Sequence, residues 1–377
     1  MKILHIITGL NNGGAETVLY RLTTANTENT HQIISMMDSG FYGERLIMAG
    51  IPVYTLNMPH GRVTIKGIIK LYRLMRSIKP DVVQTWMYHA DLLGGVISQL
   101  FNSAPVVWGI RNFNLDPEFT SLSTRLVAKL SAILSWRLPT AIICPSKRAM
   151  RIHQKYGYCV KKLVLIPNGY DMSLFSPDHA NRQRIREEWG IVGKEFLIGM
   201  VARWHPLKDY RNLLKALFLL AGKGVSFRVV LVGTGMDISN KALVAQIQDY
   251  GLQNSALLIG PHDNIPAVMN GLDLHVLSSV GEAFPNVVAE AMACGTPCVV
   301  TNVGDAAFIV GHTGWIVPPS NPQSLSTAIT AAMVALAADG KDVLGTRCRT
   351  RIVEHFSMER MVNAYMTLWT RVAKKGN

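Results

Sequence analysis

Short runs of apolar, β-branched residues alternate with helix-like segments twice along this chain, and this alternation restricts the possible folds most. Seven runs lie in the first half of the sequence: Lys2–Thr8, Gln32–Met37, Val53–Leu56, Val82–Trp86, Val106–Arg111, Ala141–Pro145 and Leu163–Ile166. Six lie in the second half: Leu197–Ala202, Arg228–Gly233, Ala256–Gly260, Leu274–Ser279, Pro297–Asn302 and Gly314–Val317. Strands separated by helices build parallel sheets, so the pattern predicts an α/β protein with one sheet in each half.

The length of the chain also favours two domains. A single core rarely extends beyond about 250–300 residues, and this chain has 377. The turn-forming stretch Pro167-Asn168-Gly169-Tyr170-Asp171 follows the seventh run, and we expect the boundary there. The sequence therefore predicts two Rossmann-like domains, residues 1–170 and 171–356, which face a central cleft at the carboxyl ends of their strands.

The positive charge is concentrated in the first half of the chain. Residues 1–170 contain 19 Lys and Arg against 8 Asp and Glu, whereas residues 171–377 contain 19 against 17. This imbalance indicates an anionic partner, and the absence of any nucleic-acid-binding motif favours a membrane surface or a diphosphate-linked lipid over nucleic acid. Five cations lie along one predicted helix: Lys66, Lys70, Arg73, Arg76 and Lys79. Such a helix is either an ordinary solvated face or a surface for an anionic membrane.

The remaining composition favours a cytosolic protein and implies no metal. No apolar run is long enough to span a bilayer, and the segment Met1–Thr8 is too short for a signal peptide, so it is expected to be a buried strand. The five cysteines are scattered, which is typical of reduced thiols in a cytosolic protein. Neither a His and Asp metal triad nor a D-x-D signature is present, so the sequence implies no metal and no other cofactor.

The segment 282–297, EAFPNVVAEAMACGTP, carries the most chemical information. It follows the predicted strand Leu274–Ser279, and Pro285 suits the first position of a helix, where an N–H would have no partner. Glu282 is then expected in the loop at the carboxyl end of the strand, and Glu290 about one turn into the helix. The segment therefore places two carboxylates on either side of a helix start.

The start of this helix is a predicted anion site. The unpaired N–H groups near Asn286 and Val287 point toward any ligand there, and the helix dipole favours negative charge. Carboxylates that bind hydroxyls, beside N–H groups that bind phosphate, suit a sugar nucleotide. The alternative is a surface helix with solvated glutamates.

The same segment resembles the E-x7-E signature of the retaining, GT-B-type glycosyltransferases of family four, which include bacterial surface-polysaccharide and lipid-linked sugar transferases. The Phe284-Pro285-Asn286 tripeptide and the continuation to Pro297 make the match specific. The resemblance implies that Glu282 binds hydroxyls of the transferred sugar and that Glu290 binds the ribose. It also implies that the backbone over residues 284–287 (Phe284, Pro285, Asn286 and Val287) holds the donor.

Arg203 and Lys208 are the expected stabilisers of the leaving group. Both follow the predicted strand Leu197–Ala202, at an edge where ligands of α/β proteins bind. Two fixed cations would neutralise a departing nucleoside diphosphate, as metal ions do in other enzymes. The family has an arginine and a lysine at this spacing for that purpose.

The glycine-rich loop after the first strand, GLNNGGAE over residues 9–16, is a second candidate phosphate or sugar site. Its glycine spacing does not fit the dinucleotide fingerprint G-x-G-x-x-G. The Gly13-Gly14 pair instead matches the first loop of the family, which approaches the donor diphosphate and the acceptor. The alternative is a plain tight turn.

Three further residues of the first half are assigned to the site. His89 follows the fourth strand at a helix entrance, where it would contact the transferred sugar or the acceptor hydroxyl; a structural histidine is the alternative. Arg111 and Asn112 end the fifth strand, where many relatives have a sugar-binding histidine. An arginine at this position favours instead an anionic phosphate of the acceptor.

Taken with the resemblance, these residues predict a cytoplasmic enzyme, peripheral on the inner face of the cell membrane. It would move a hexosyl or N-acetylhexosaminyl group from a nucleotide sugar to a polyprenyl-linked glycan of an O-antigen, capsule or exopolysaccharide. The resemblance also implies that the last helix, about residues 357–374, crosses back onto the first domain. The alternatives are a GT-B sugar-nucleotide epimerase or hydrolase, and a non-catalytic protein that binds membranes or glycans.

Overall fold

A computed structural model describes residues 1–101, 104–111, 115, 120–193 and 195–376. The chain forms two compact units, of which unit 1 comprises Met1–Gly169 with Met358–Asn377, and unit 2 comprises Tyr170–Ser357. All thirteen predicted strands are present, and their ends differ from the predicted ends by at most two residues. The predicted α/β class is therefore confirmed, with one parallel sheet in each unit.

The sheet of unit 1 has seven parallel strands in the order β3-β2-β1-β4-β5-β6-β7. The strands are β1 (Lys2–Ile7), β2 (Thr30–Ser35), β3 (Val53–Thr55), β4 (Val82–Trp86), β5 (Val106–Gly109), β6 (Ala141–Cys144) and β7 (Leu163–Leu165). The strand order reverses between β1 and β4, which pair directly over Ile3–Ile7 and Val82–Trp86. Ligands of open α/β sheets bind at such a reversal, beyond the carboxyl ends of the strands.

Seven helices cover this sheet: α1 (Gly14–Ala25), α2 (Gly40–Met48), α3 (Ile65–Ile78), α4 (Tyr88–Leu100), α5 (Leu122–Leu134), α6 (Lys147–Tyr156) and α15 (Met358–Gly376). The helix α15 supplies Tyr365, Leu368 and Trp369 to the same apolar cluster as Ile3 and Ile7 of β1. The Trp369 indole also donates a hydrogen bond of 3.1 Å to Gln84 Oε1 inside β4. The last helix of the chain is thus part of the core of unit 1.

The apolar residues of helix α3 do not all lie in the core. Ile65 and Ile69 are 77% and 45% exposed. Gly67, Leu71, Met75 and Ile78 are the residues that α3 buries. Thr64 caps the start of the helix by accepting a hydrogen bond of 3.2 Å from the Gly67 N–H.

The sheet of unit 2 has six parallel strands in the order β10-β9-β8-β11-β12-β13. These are β8 (Leu197–Val201), β9 (Arg228–Val232), β10 (Ala256–Gly260), β11 (Leu274–Leu277), β12 (Cys298–Thr301) and β13 (Trp315–Val317). The order reverses between β8 and β11, and ligands of open α/β sheets bind in a crevice beyond the carboxyl ends of such strands. The flanking helices are α7 (His179–Glu188), α8 (Tyr210–Ala221), α9 (Lys241–Asp249), α10 (Ile265–Gly271), α11 (Asn286–Ala293), α12 (Ala306–Val310), α13 (Pro322–Asp339) and α14 (Lys341–Phe356).

Several histidines are buried inside the sheets. The Trp86 indole donates to His5 Nδ1 at 3.1 Å, and His5 Nε2 lies 2.9 Å from His31 Nδ1. Because an indole can only donate, His5 must carry its proton on Nε2 and donate it to His31. In unit 2, His275 is buried in β11, and neither of its ring nitrogens has a hydrogen-bond partner. Burial lowers the pKa of His31 to about 4 and that of His275 to about 3, so all three rings are neutral near pH 7.

All five cysteines are buried, and none forms a disulfide. No helix within the described ranges combines the length and hydropathy needed to span a bilayer.

Candidate active site

The carboxyl ends of β8 and β11 bring together the residues that the sequence assigned to the leaving group and the sugar. The chain leaves β8 at Val201 and reaches Arg203 two residues later, while β11 ends at Leu277, five residues before Glu282. The two strands are neighbours at the reversal of the strand order in unit 2. Arg203, Lys208 and Glu282 therefore follow the two strands that border the binding crevice of this sheet.

Lys208 and Glu282 form an ion pair within this crevice. Lys208 Nζ lies 2.5 Å from Glu282 Oε1, and the two side chains are 19% and 11% exposed. The Ser279 hydroxyl donates to the same Oε1 atom at 2.7 Å. Glu282 Oε2 accepts no hydrogen bond from any described residue. One carboxylate oxygen thus fixes the lysine, and the other remains available to a ligand hydroxyl.

Backbone hydrogen bonds hold the loop that carries Glu282. The Val280 N–H donates to the Leu207 carbonyl at 2.9 Å, which ties this loop to the turn that presents Lys208. The Thr301 hydroxyl donates to the Ser279 carbonyl at 2.6 Å. Gly304 has a φ of +57°, and a Cβ there would lie 2.6 Å from the Glu282 carbonyl oxygen. Only glycine fits so close to the loop, so the close packing of Gly304 against the backbone fixes the position of Glu282.

The first turn of α11 begins one residue later than predicted. Pro285 is the N-cap residue with an extended ψ of 95°, and Asn286 is the first helical residue. Pro285 has no side-chain hydrogen-bonding group and so cannot cap the first N–H groups. The Tyr170 hydroxyl donates to Asn286 Oδ1 at 2.6 Å and holds this side chain at the helix start. Glu290 is half-buried one turn further along the helix.

The other two residues of the predicted donor segment pack against protein. The Phe284 ring is 8% exposed and meets the Phe356 ring edge to face, with 5.6 Å between the centroids. Val287 is half-buried and packs against the same apolar cluster. The predicted contact of Phe284 and Val287 with a donor would therefore be made by their backbone, since their side chains support the helix start from within the core.

Cations surround the turn between β8 and α8. Arg203 is exposed, and Lys208 ends a short 3₁₀ turn, Pro206–Lys208, which His205 caps by accepting from the Leu207 N–H at 3.2 Å. Partial burial and the charges of Arg203 and Lys208 lower the pKa of His205. The turn thus presents two permanent cations and a neutral imidazole, which is a suitable environment for a phosphate group.

In unit 1 the sequence-assigned residues also lie at the reversal of the strand order. Gly13 follows β1 and is the extended N-cap residue of α1, while His89 follows β4 as the second residue of α4. A Cβ on Gly13 would lie 2.5 Å from Glu16 Oε2, whereas one on Gly14 would meet nothing within 4 Å. Burial, followed by the charge of His60, lowers the pKa of the half-buried His89.

Arg111 is held by neighbours of unit 1. Its guanidinium donates to Asn168 Oδ1 at 2.9 Å and to the Tyr365 hydroxyl at 2.6 Å, and it lies 4.5 Å from the Trp86 ring centroid. Its Nε is buried without a hydrogen-bond partner. The arginine therefore braces the end of β5 against α15, which is a structural role that the sequence did not predict. Asn112 lies outside the described residues.

Sequence analysis missed three supports of the site. Ser279, Thr301 and the buried Tyr170 act through hydrogen bonds that form only in the folded chain. The hydroxyl group of each side chain was the available signal in the sequence. Among the residues that the structure describes, no cluster of three or more His, Cys, Asp or Glu could hold a metal ion.

Two family models match most of the chain. The model described as "Glycosyltransferase Family 4" matches residues 12–174, and the one described as "Glycosyl transferases group 1" matches residues 181–334. The chain is 27% identical over 312 residues to the UDP-Gal:alpha-D-GlcNAc-diphosphoundecaprenol alpha-1,3-galactosyltransferase of Escherichia coli, which covers 81% of this chain and 79% of that protein. It is 34% identical over 157 residues to the mannosylfructose-phosphate synthase of Agrobacterium fabrum (strain C58), over 39% of this chain and 34% of that protein.

A solved structure has the same fold. Anabaena Alr3699/HepE, crystallised in complex with UDP, superposes with a TM-score of 0.85 at 23% identity and covers 98% of this chain and 100% of its own. At this identity the likeness concerns the fold alone. The two matched family models, the paired Rossmann-like sheets and the acidic and basic residues at their switch points agree with one another. The chain belongs to the family-four glycosyltransferases and is an enzyme of the GT-B fold.

Proposed function

We propose that this glycosyltransferase moves a hexosyl or N-acetylhexosaminyl group from a nucleotide sugar to a polyprenyl-linked glycan, with retention of the anomeric configuration. The observation that carries the proposal is the Lys208–Glu282 ion pair beside the uncapped start of α11, at the switch point of unit 2. Cations, helix N–H groups and an available carboxylate oxygen suit a sugar diphosphate. The name of the Escherichia coli relative supports a lipid-linked acceptor, and the UDP in the Anabaena structure supports a nucleotide donor.

Each residue of unit 2 has a separate task in this proposal. Arg203 and Lys208 neutralise the charge that develops on the leaving diphosphate, together with the first N–H groups of α11. Glu282 Oε2 accepts a hydrogen bond from a hydroxyl of the transferred sugar, because Oε1 already accepts hydrogen bonds from Lys208 and Ser279. The Glu290 carboxylate accepts hydrogen bonds from the ribose hydroxyls.

The retaining step needs no covalent intermediate in this proposal. The proposal uses neither carboxylate as a nucleophile, because it assigns Glu282 Oε2 to a sugar hydroxyl and Glu290 to the ribose. The acceptor hydroxyl attacks the anomeric carbon from the face that the diphosphate leaves. The departing phosphate oxygen takes the proton of the acceptor, so the bond to phosphate breaks as the new glycosidic bond forms.

Unit 1 is proposed to bind the acceptor side of the reaction. Gly13 and Gly14 would let an acceptor or a donor phosphate approach the start of α1, and His89 would contact the sugar or the acceptor hydroxyl. Arg111 would meet an acceptor phosphate only through guanidinium positions that Asn168 and Tyr365 leave open. The enzyme would act as a peripheral protein on the cytoplasmic face of the membrane, in surface-polysaccharide biosynthesis.

Incubation with a panel of radiolabelled nucleotide sugars and a bacterial membrane extract tests the proposal. We expect one donor to label an organic-extractable, diphosphate-linked product, and NMR of that product to show the anomeric configuration of the donor. Inversion would rule out the retaining step, and label transfer only to soluble acceptors would rule out the lipid-linked acceptor. Turnover of the donor without any acceptor would instead favour an epimerase or a hydrolase.

We expect the two glutamates to differ in what they bind. Glu290→Gln should weaken the affinity for the nucleoside diphosphate about tenfold or more, because a hydrogen bond to a charged group contributes roughly 1.5–3 kcal/mol. Glu282→Gln should leave that affinity nearly intact and mainly lower the rate of transfer. Calorimetric titration of both variants with UDP and GDP, beside steady-state rates, measures the difference. Loss of nucleotide affinity in Glu282→Gln, with normal affinity in Glu290→Gln, would reverse the proposed direction of the donor.

A further inference from the structure

Helix α5 exposes an apolar stripe, which we define as Leu122, Leu126, Leu130, Ile133 and Trp136. Their exposures range from 46% to 67%. The spacing of four, four, three and three residues places them along one side of the helix and its final turn. The opposite side buries small residues, Ala128, Ser131 and Ala132. The helix therefore exposes this row of large apolar side chains, while Val127 and Leu134 pack with the alanines against the core of unit 1.

Positive charge surrounds the α5 stripe. Residues 120–170 contain nine Lys and Arg and no Asp or Glu. Lys129 is exposed within the stripe, and Arg137 is exposed at its end. The neighbouring helix α6 and the turn after it add further cations: Lys147, Arg148, Arg151, Lys155, Lys161 and Lys162. No acidic residue of this stretch offsets these cations, and the nearest acidic residues before it in the sequence are Asp116 and Glu118.

Trp136 at the end of the stripe has the character of an interfacial anchor. Its ring is 62% exposed, while its Nε1 donates to the Gly157 carbonyl at 3.4 Å and its own carbonyl accepts from Lys162 Nζ at 2.8 Å. An indole with one bound polar edge and a free apolar face suits the boundary between lipid headgroups and acyl chains. Lys129, whose Nζ lies 5.4 Å from the Tyr156 ring centroid, can reach outward beside the leucines with its charge in the headgroup layer.

We infer that the α5 stripe docks unit 1 on an anionic lipid bilayer. Leucine, isoleucine and tryptophan side chains would enter the interface, and the surrounding cations would meet lipid phosphates. A nucleic acid would use the cations but not the leucines, and an ordinary protein partner would not need so uniform a charge. Helix α3, for which the sequence left a solvated face and a membrane surface as alternatives, exposes Ile65 and Ile69 among its cations. It contributes charge but little apolar surface.

Co-sedimentation with vesicles of equimolar phosphatidylcholine and phosphatidylglycerol tests this surface without any donor or acceptor. The outcome is therefore independent of the outcome for glycosyl transfer. Leu126→Ser with Ile133→Ser should lower the partition coefficient about tenfold or more, because two apolar side chains no longer leave water. Lys129→Gln with Arg137→Gln should lower it about tenfold and reduce its dependence on salt.

Two matched variants complete the experiment. Ile47→Ser with Met48→Ser removes apolar side chains of α2 that are 56% and 84% exposed, and it should bind vesicles like the wild type. The α3 variant Lys66→Gln, Lys70→Gln, Arg73→Gln should weaken only the salt-dependent part of binding. Unchanged melting temperatures establish that each variant is folded; if the serine pair unfolds, the glutamine pair of α5 carries the test.

Three results would overturn the assignment. Equal vesicle binding by the wild type and both α5 variants would remove the stripe from membrane docking. Loss of binding only in the α3 variant would transfer the role to α3. Sedimentation velocity that shows a dimer of the wild type, abolished by the serine pair, together with no vesicle binding, would assign the stripe to a second copy of the chain.

Discussion

Lys208→Ala is expected to lower kcat by roughly 10²-fold or more, the scale for loss of one preorganised charge stabiliser. The side chain pairs with Glu282 at 2.5 Å, so the replacement removes a cation from the crevice and also frees the carboxylate that it positions. Arg203→Ala should lower kcat to a similar extent. Steady-state rates at saturating donor measure both effects. Near-wild-type turnover of either variant would show that its cation does not stabilise the leaving group.

The stability of the two variants should differ, and this difference separates catalysis from folding. Lys208→Ala leaves Glu282, 11% exposed, without its counter-ion, which should reduce the free energy of unfolding by about 2 kcal/mol. Arg203 is exposed, so its replacement should barely change the melting temperature. Adding Glu282→Gln to Lys208→Ala should recover part of the stability and none of the activity. Recovery of activity in the double variant would instead mean that Lys208 acts only by neutralising Glu282.

Mild acid is expected to destabilise the protein through its buried histidines. Burial lowers the pKa of His31 and His153 to about 4, that of His275 to about 3, and that of His5 well below its ordinary value. A histidine with a depressed pKa is neutral in the folded chain and protonated in the unfolded chain between about pH 4 and 6.5. Its contribution to stability is complete above pH 6.5 and is lost as the pH falls, at about 1.4 kcal/mol per pH unit for each ring.

Asp91 acts in the opposite direction. It is buried, and its Oδ1 accepts from the Thr85 hydroxyl at 2.5 Å and from the Gly109 N–H at 3.2 Å. Burial nevertheless raises its pKa to about 7, so the folded chain takes up this proton before the unfolded chain does. Between pH 7 and 5, the stability gained by protonating Asp91 is about equal to the stability lost through one buried histidine. The net loss of unfolding free energy over this range should be on the order of 5 kcal/mol.

Denaturant unfolding at several pH values measures this slope. His153, which lies 2.6 Å from the Tyr88 hydroxyl and 2.7 Å from the Ala149 carbonyl, is a suitable site for a test. His153→Gln should lower the stability at pH 7 and flatten the slope by about one proton. His312→Asn alters an exposed ring and should leave the slope unchanged. A wild-type free energy of unfolding that is equal at pH 7 and 5 would contradict the assignment of neutral buried rings.

The local sequence pattern was sufficient to predict the strands but not the partners of individual side chains. The run Val82–Trp86 was predicted with both ends correct, because its β-branched and aromatic residues favour a strand. The placement of Glu282 after its strand followed from the same pattern. Its pairing with Lys208, 74 residues earlier, depends on β8 and β11 being neighbours in the sheet. The local sequence of neither segment determines that strand order.

The exposure of a helix face is equally hard to predict. The leucines of α5 have the spacing of a core-facing stripe, and sequence alone favours their burial. They are exposed because the other side of the helix, with Ala128 and Ala132, allows a closer approach to the protein. Arg111 shows the same limit, since its partner Tyr365 is 254 residues away along the chain.

The position of α15 also has a consequence for biosynthesis. Unit 1 consists of two separate segments, so unit 2 is an insertion between its first 169 residues and its final helix. A ribosome releases Ile3 and Trp86 long before Tyr365 and Trp369, which complete their apolar cluster. Unit 2 can thus fold as a contiguous segment before α15 completes the apolar cluster of unit 1. The nascent chain would expose part of this apolar cluster until α15 has been translated.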